Sequence, residues 1–375
     1  MTVAGADPSE TERIPALTGL RAVAAVWVLV FHICVVQGIS ARTGIHRGYL
    51  GVDLFFVLSG FILCHVYFAD MAAGRARLRH YLLLRLGRLW PAHAVVMLVW
   101  VLAFAAVVAL GIPYDGNSHR GLAAYVAANL LMVHAWGLFD WYDLNPPSWS
   151  VSAEWFCYLA FPLMVPVVAR LRGVAAIVAA ALVWVALAAL VLRAVDLPGL
   201  IDYQRFGLVR AMAGFGLGML AWRLGMAAPH LLPRHLADMA LLAIVALVLA
   251  PGLRQGWVDY ILLALFAALV LGLSRQGSAT GRLLALRPVV GFGEISYSFY
   301  LVHWFALIVI IKLWRYVPDP VIDSPLAYGL CVGLASLFGA VLLHRLVERP
   351  ARAAMRRHVG RSEPVPPAAT AAERP

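Results

Sequence analysis

Long apolar runs separated by short polar gaps occupy nearly all of residues 14–346. Windows of about twenty apolar residues, the length a helix needs to cross a hydrocarbon core, fall at ten places. They are 14–37, 50–69, 86–110, 149–169, 173–192, 206–222, 236–251, 257–273, 289–313 and 325–346. An eleventh candidate, 121–138, contains Asn129 and His134 and is flanked by polar residues. No internal repeat is evident. The pattern predicts an all-α, polytopic membrane helix bundle of about ten transmembrane helices.

Composition supports that prediction. Of 375 residues, 63% are hydrophobic and only 13% charged, with a mean hydropathy of +0.83, whereas about a quarter of a soluble domain is charged. The net charge of +11 does not point to nucleic acid. The arginines sit in short gaps between apolar runs, and no soluble basic domain, stacking motif or zinc spacing accompanies them. Their placement reads as a topology signal. If 121–138 does not cross, the gaps near 70–88, 170–172, 223–235 and 275–288 and both tails share one side. That side then holds 20 of the 30 arginines and lysines, the opposite side eight, with Arg21 and Arg210 inside spans. The bias favours ten crossings and cytoplasmic N- and C-termini, with 121–138 re-entrant or interfacial on the outer side. Residues 1–13 read as a polar cytoplasmic tail without a cleaved signal peptide. The membrane domain is expected over 14–347, with a basic cytoplasmic tail over 348–375, disordered from about 362. Cys34, Cys64, Cys157 and Cys331 form no CxxC, which points to packing rather than to a metal.

An ionisable side chain inside a span is expensive and usually functional, so "RAVAAVWVLVFH" is informative. Eleven residues of helix turn about 1100°, which puts Arg21 and His32 on one stripe about 16 Å apart. In the ten-span topology His32, Asp53 and Glu154 each lie about five residues below the outer boundary, and Arg210 is similarly placed. Ser150, Glu154, Cys157 and Tyr158 share a helical face. Ser296, Tyr300 and His303 fall on one arc of the ninth span. Several helices therefore supply ionisable groups to one outer layer. Near the inner side, Arg75, Arg77, Arg79, Arg85 and Arg88 crowd together. The first three read as topology signals and lipid contacts, while Arg85 and Arg88 are candidates for phosphate binding by guanidinium forks.

Taken in order, six motifs resemble the acyltransferase family 3 membrane proteins, mostly bacterial enzymes that O-acylate surface carbohydrates, peptidoglycan or macrolides. They are the Arg21–His32 spacing, "GVDLFFVLSGF", "RLGRLWP", "SWSVSAEW", "SYSFYLVH" and "RLVERPAR". The resemblance implies a multi-helix bundle in the bacterial inner membrane. It also implies a cytoplasmic acyl-CoA donor, an acceptor hydroxyl reached from the other side, and essential roles for Arg21 and His32. No permanently bound cofactor is implied; acyl-CoA, foremost acetyl-CoA, is a substrate. Some relatives carry an additional extracytoplasmic hydrolase-like domain, which is not expected from the motifs and apolar runs of this sequence.

Acyl transfer to an alcohol needs a base active near neutrality, which suits histidine. A carboxylate on its far ring nitrogen would fix the tautomer. Asp53 is the first candidate for that carboxylate and Glu154 the second. The structural alternative for Asp53 is an ion pair with an arginine. Arg21, Arg85 and Arg88 are the expected donor contacts, and the Arg21–His32 spacing is comparable to an extended pantetheine arm. Ser150, Arg210, Tyr300 and His303 are candidates for substrate binding, with packing as the alternative for Tyr300 and His303. Other expected partners are a hydroxyl-bearing acceptor, carbohydrate foremost, and membrane lipids. A sugar or lipid transporter or flippase is the competing class, although inverted repeats and paired broken helices are not apparent.

Overall fold

The computed structural model describes residues 14–39, 44–111, 121–139, 144–197, 199–200, 205–250, 252–253, 256–275, 277–316 and 324–361. The polar N-terminal tail, the segment from 362 onward and residues 112–120 lie outside the described residues. Among the described residues there is no strand.

Ten long helices coincide with the ten apolar windows. They are α1 (Pro15–Val36), α2 (Gly51–Ala72), α3 (Leu78–Ala109), α5 (Trp149–Arg170), α6 (Val174–Arg193), α7 (Gly207–Ala227), α8 (Leu236–Leu249), α9 (Trp257–Leu273), α11 (Arg287–Trp314) and α12 (Pro325–Leu343). Among the described residues, seven helical segments are long and apolar enough to cross a membrane. The other three long helices differ. At 1.5 Å per residue α8 and α9 are only about 21 and 26 Å long, short of a core about 30 Å thick. α7 is rich in glycine, largely buried, and carries Arg210 and Arg223. The disputed 121–138 window holds α4 (Leu122–Leu130), nine residues long. At about 13 Å it is too short to cross.

The burial pattern is that of a bundle in lipid. α6 is apolar throughout, yet buries only Ile177, Ala188 and Leu192, leaving Leu182, Leu187 and Leu190 on the outside. No water need be avoided there, so an apolar outer face is stable in a membrane. α2 packs along α7, and α11 lies between α1 and α12. α1 and α11 run parallel: Thr18 meets Gly293 near their starts, and Arg21 meets Ser296 three residues on. A Cβ at Gly293 would collide with the Thr18 carbonyl, so glycine permits this approach.

The short α10 (Ala279–Leu284) precedes α11 and packs on α1. Beyond α12 the helix continues through a π-turn, His344–Glu348, into α13 (Arg349–Arg361). α13 packs against α3. The stretch expected to begin the basic tail is thus helical and docked as far as Arg361. One end of the bundle gathers the starts of α1, α3, α11 and α13 and is rich in arginine. His32 lies toward the opposite end, in the last turns of α1, with His303 beside it just past the middle of α11.

Candidate active site

His32, in the last turns of α1, faces His303 on the parallel α11. His32 Nδ1 and His303 Nε2 are 3.0 Å apart, with the rings stacked at 5.0 Å. His303 Nδ1 bonds the backbone carbonyl of Tyr300. A carbonyl can only accept, so Nδ1 carries the proton, and Nε2 of the neutral ring is an acceptor. His32 Nδ1–H is then the donor between the rings. The lone pair left for proton abstraction is on His32 Nε2. His303 is buried, whereas His32 is partly exposed. The Tyr300 hydroxyl donates to the Pro147 carbonyl at 2.8 Å and accepts from Ser150 Oγ at 2.9 Å. Pro147 belongs to a 3₁₀ turn that leads into α5, so the α11 site is tied to a third helix.

A narrow cavity of about 40 Å³ runs below Tyr300. Its polar lining includes Arg21, Ser59, Ser150, Glu154, Ser296 and Tyr300. Glu154 Oε1 accepts from the hydroxyls of Ser59 and Tyr158, and Arg21 Nε donates to Ser296 Oγ at 3.3 Å. Arg21 also lines two wider cavities toward the arginine end. One, of about 190 Å³, contains Arg85, Arg88, Tyr67 and Tyr158. The other, of about 570 Å³, contains Arg88 and the arginines of α13. Arg21 therefore sits where the slot meets both chambers. The Arg85 guanidinium donates to the Tyr67 hydroxyl at 3.1 Å and stacks over the Tyr67 and Tyr158 rings.

Two expected contacts are corrected by this geometry. Asp53 does not reach His32. Its carboxylate accepts a fork from Arg210, with contacts of 2.9 Å to Oδ1 and of 3.1 and 2.6 Å to Oδ2. Arg210 also donates to the Tyr49 carbonyl at 2.6 Å and stacks on Tyr49 and Trp149. Both residues are buried. An unpaired carboxylate there would be so costly that the pair closes on itself and joins α2 to α7. Arg210 thus has Asp53 and the Tyr49 carbonyl as partners and does not line the slot. Glu154 likewise does not orient His32; it faces the slot that Arg21 lines. Donor candidates Arg21, Arg85 and Arg88 do converge on one cavity, as do Ser150 and Tyr300 on the slot. Ser59 and the α13 arginines were missed, although Arg349, Arg352 and Arg356 recur at intervals of three and four, the spacing of one helical face.

A family model described as an acyltransferase domain (acyltransferase family 3) matches residues 14–345. The chain belongs to this family. Over 401 aligned positions it is 28% identical to the acyltransferase MdmB of Streptomyces mycarofaciens, covering 96% of this chain and 95% of that protein. It is also 28% identical to the putative O-acetyltransferase SACOL0978 of Staphylococcus aureus strain COL, over 40% of this chain and 24% of that one. Protein 2 in the picA locus of Rhizobium radiobacter is 33% identical over 28% of this chain and 53% of its own length. No solved structure matches. Seven apolar spans and this membership make the chain a multi-pass membrane protein of an acyltransferase family.

Proposed function

We propose that this acyltransferase is an acyl-CoA-dependent O-acyltransferase of the bacterial inner membrane. It moves acetyl or another short acyl group from cytoplasmic acyl-CoA to a hydroxyl of a carbohydrate or other cell-surface or secondary-metabolite acceptor. In this reading α7 and the shorter α8 and α9 cross as well, giving ten crossings with both termini cytoplasmic, so the arginine end faces the donor and the histidine end the acceptor. One observation carries the reading: a line of polar groups runs from Arg85 and Arg88 through Arg21 and the slot to Tyr300. There Tyr300 meets His303, which holds His32. About 40 Å³ is space for only a few water-sized groups, so the slot must widen to admit a pantetheine arm, and a short acyl group asks less of it than a long one. The Staphylococcus aureus relative named above, a putative O-acetyltransferase, agrees with a two-carbon acyl group.

In the reaction His32 Nε2 takes the proton of the acceptor hydroxyl while its oxygen attacks the thioester carbonyl. The C–S bond breaks as the tetrahedral intermediate collapses, and the departing thiolate recovers the proton from His32. His303 keeps Nδ1–H of His32 engaged throughout, so the ring presents the same nitrogen in both steps. Arg21 holds the donor at the mouth of the slot, and Ser59 with Glu154, itself bonded by the Tyr158 hydroxyl, forms its polar wall. Purified protein in detergent should release free CoA from acetyl-CoA when acceptor is present. His32→Ala should reduce this at least about 10²–10⁴-fold while still binding acetyl-CoA. A His32→Ala protein that folds and acylates at the parental rate would overturn the mechanism.

A further inference from the structure

Of the cavities described above, the 570 Å³ chamber is the largest, and its outer wall is α13. It is lined by Arg21, Arg88, Arg349, Arg352 and Arg356, with Glu294 as the one carboxylate among the lining residues. Glu348 lies buried behind the wall. It accepts from Ser298 at 2.6 Å, His344 at 3.0 Å and Arg352 at 3.3 Å, and so neutralises no more than part of this cluster. Crowding five guanidinium groups around one cavity costs free energy through mutual repulsion unless an anion joins them.

Local structure shows how the chamber is made. The π-turn His344–Glu348 shifts the register of the last helix, turning Glu348 inward and starting α13 beside α3. α13 approaches α3 at Gly87, between Arg85 and Arg88. A Cβ at Gly87 would lie 2.8 Å from Met355 Cβ, which is too close. Glycine in "RLGR" thus brings the α13 arginines to face Arg88. This helix lies beyond the residues that the family model matches.

The geometry points to α13 as part of the donor site. We propose that Arg352 and Arg356, with Arg88 and Arg349, bind the phosphorylated ribose and diphosphate of CoA, so that the enzyme selects CoA thioesters over donors lacking the 3′-phosphate. Guanidinium forks match phosphate oxygens in pairs. The chamber shares Arg21 and Arg88 with the 190 Å³ cavity and Arg21 with the slot. A donor seated here feeds its pantetheine past Arg21 toward His32. An anionic lipid headgroup offers the same phosphate chemistry but no thioester arm.

This inference rests on the acyl-CoA reading, and the test separates the two. With purified full-length protein in neutral detergent, kcat/KM is measured for acetyl-CoA and for acetyl-3′-dephospho-CoA. Binding of adenosine 3′,5′-bisphosphate is measured beside it, with and without phosphatidylglycerol. The parent should prefer acetyl-CoA on the order of 10- to 100-fold, the loss expected for one or two charge-assisted bonds. Arg352→Ala with Arg356→Ala should collapse that preference toward unity and weaken bisphosphate binding. Arg356→Gln, which leaves the buried Glu348 its partner, should do so in part if the double variant does not fold. Gly87→Val should lower the preference without removing any charge. A preference retained by Arg356→Gln and the double variant, or bisphosphate displaced fully by phosphatidylglycerol, overturns the proposal. If the parent turns over no acetyl-CoA at all, the acyl-CoA reading fails. Arginine-dependent binding of adenosine 3′,5′-bisphosphate would then sustain the chamber assignment, and its absence would end it.

Discussion

His32 Nδ1 and His303 Nε2 lie 3.0 Å apart across two parallel helices, and the second ring is held in turn by a backbone carbonyl of its own helix. In the mechanism proposed above, a neutral imidazole orients the base in the place where a carboxylate commonly serves. In a low-dielectric layer this has a physical advantage. A carboxylate would add a second buried charge when the base is idle, whereas two neutral rings add none.

That arrangement predicts how His303 variants behave. His303→Leu removes the acceptor, frees the His32 tautomer and should lower kcat about 10- to 100-fold, a tautomer error being able to cost up to about 10⁴. KM for acetyl-CoA should hardly move, because His303 does not line the donor chambers. His303→Gln retains a carbonyl oxygen that can accept from Nδ1 and should restore much of kcat. A split the other way, with KM rising and kcat constant, would make His303 a donor contact instead. Steady-state kinetics on the three proteins decide it.

Arg21 is predicted to be intolerant even of lysine. It contacts Ser296 at 3.3 Å and lines the slot and both chambers, a position that suits a planar fork bridging two partners. An ammonium is a point charge and does not reproduce that geometry. Both Arg21→Ala and Arg21→Lys should raise KM for acetyl-CoA about tenfold or more, with Arg21→Lys recovering little. Equal donor KM in parent and Arg21→Lys would show that charge alone suffices.

Much of this was legible along the chain, for identifiable reasons. Apolar runs report helices directly, since lipid-facing residues need not alternate with polar ones, and all ten windows hold helices. Depth was legible in part: Ser150, Glu154 and Tyr300, read as one layer, do line one slot, and Arg21, read as lying nearer the other side, reaches it as well. Rotation about each helix axis was not. Asp53 sits near the layer of His32, but it faces α7 and Arg210. Nothing in "GVDLFF" distinguishes those faces, because every neighbour is apolar. His303 was visible as a member of the site but not as the partner of His32, which depends on α11 lying beside α1. α13 was hidden for another reason: a basic, polar stretch reads as a tail unless the chamber it closes is seen.

The topology carries its own test. α4 is too short to cross, so Gly121 and Gly137 should lie on one side and α13 on the other. In a Cys331→Ser background, Gly121→Cys and Gly137→Cys should both react with an impermeant maleimide added outside spheroplasts. Arg357→Cys should react only after permeabilisation. Labelling of Gly121→Cys and Gly137→Cys from opposite sides would require a crossing between them.

The Asp53–Arg210 pair is expected to serve the fold rather than the chemistry, because each side chain is taken up by the other. Both side chains are almost wholly buried, and their fork joins α2 to α7, which pack along each other. Removing one partner leaves an uncompensated charge and costs about 3–5 kcal/mol in such a setting. Asp53→Ala and Arg210→Ala should therefore each lower the melting temperature in detergent sharply, and expression with it. Replacing both with apolar residues of similar bulk removes the charge problem. Asp53→Leu with Arg210→Met should recover most of the lost stability, since buried pairs exchanged for packed hydrophobes are often neutral. Activity should track the folded fraction: kcat per folded molecule in the double variant should stay within a few-fold of the parent. A double variant that melts like the parent yet has lost turnover by 10²-fold would return Asp53 to the catalytic layer and displace His303 as the group that orients His32.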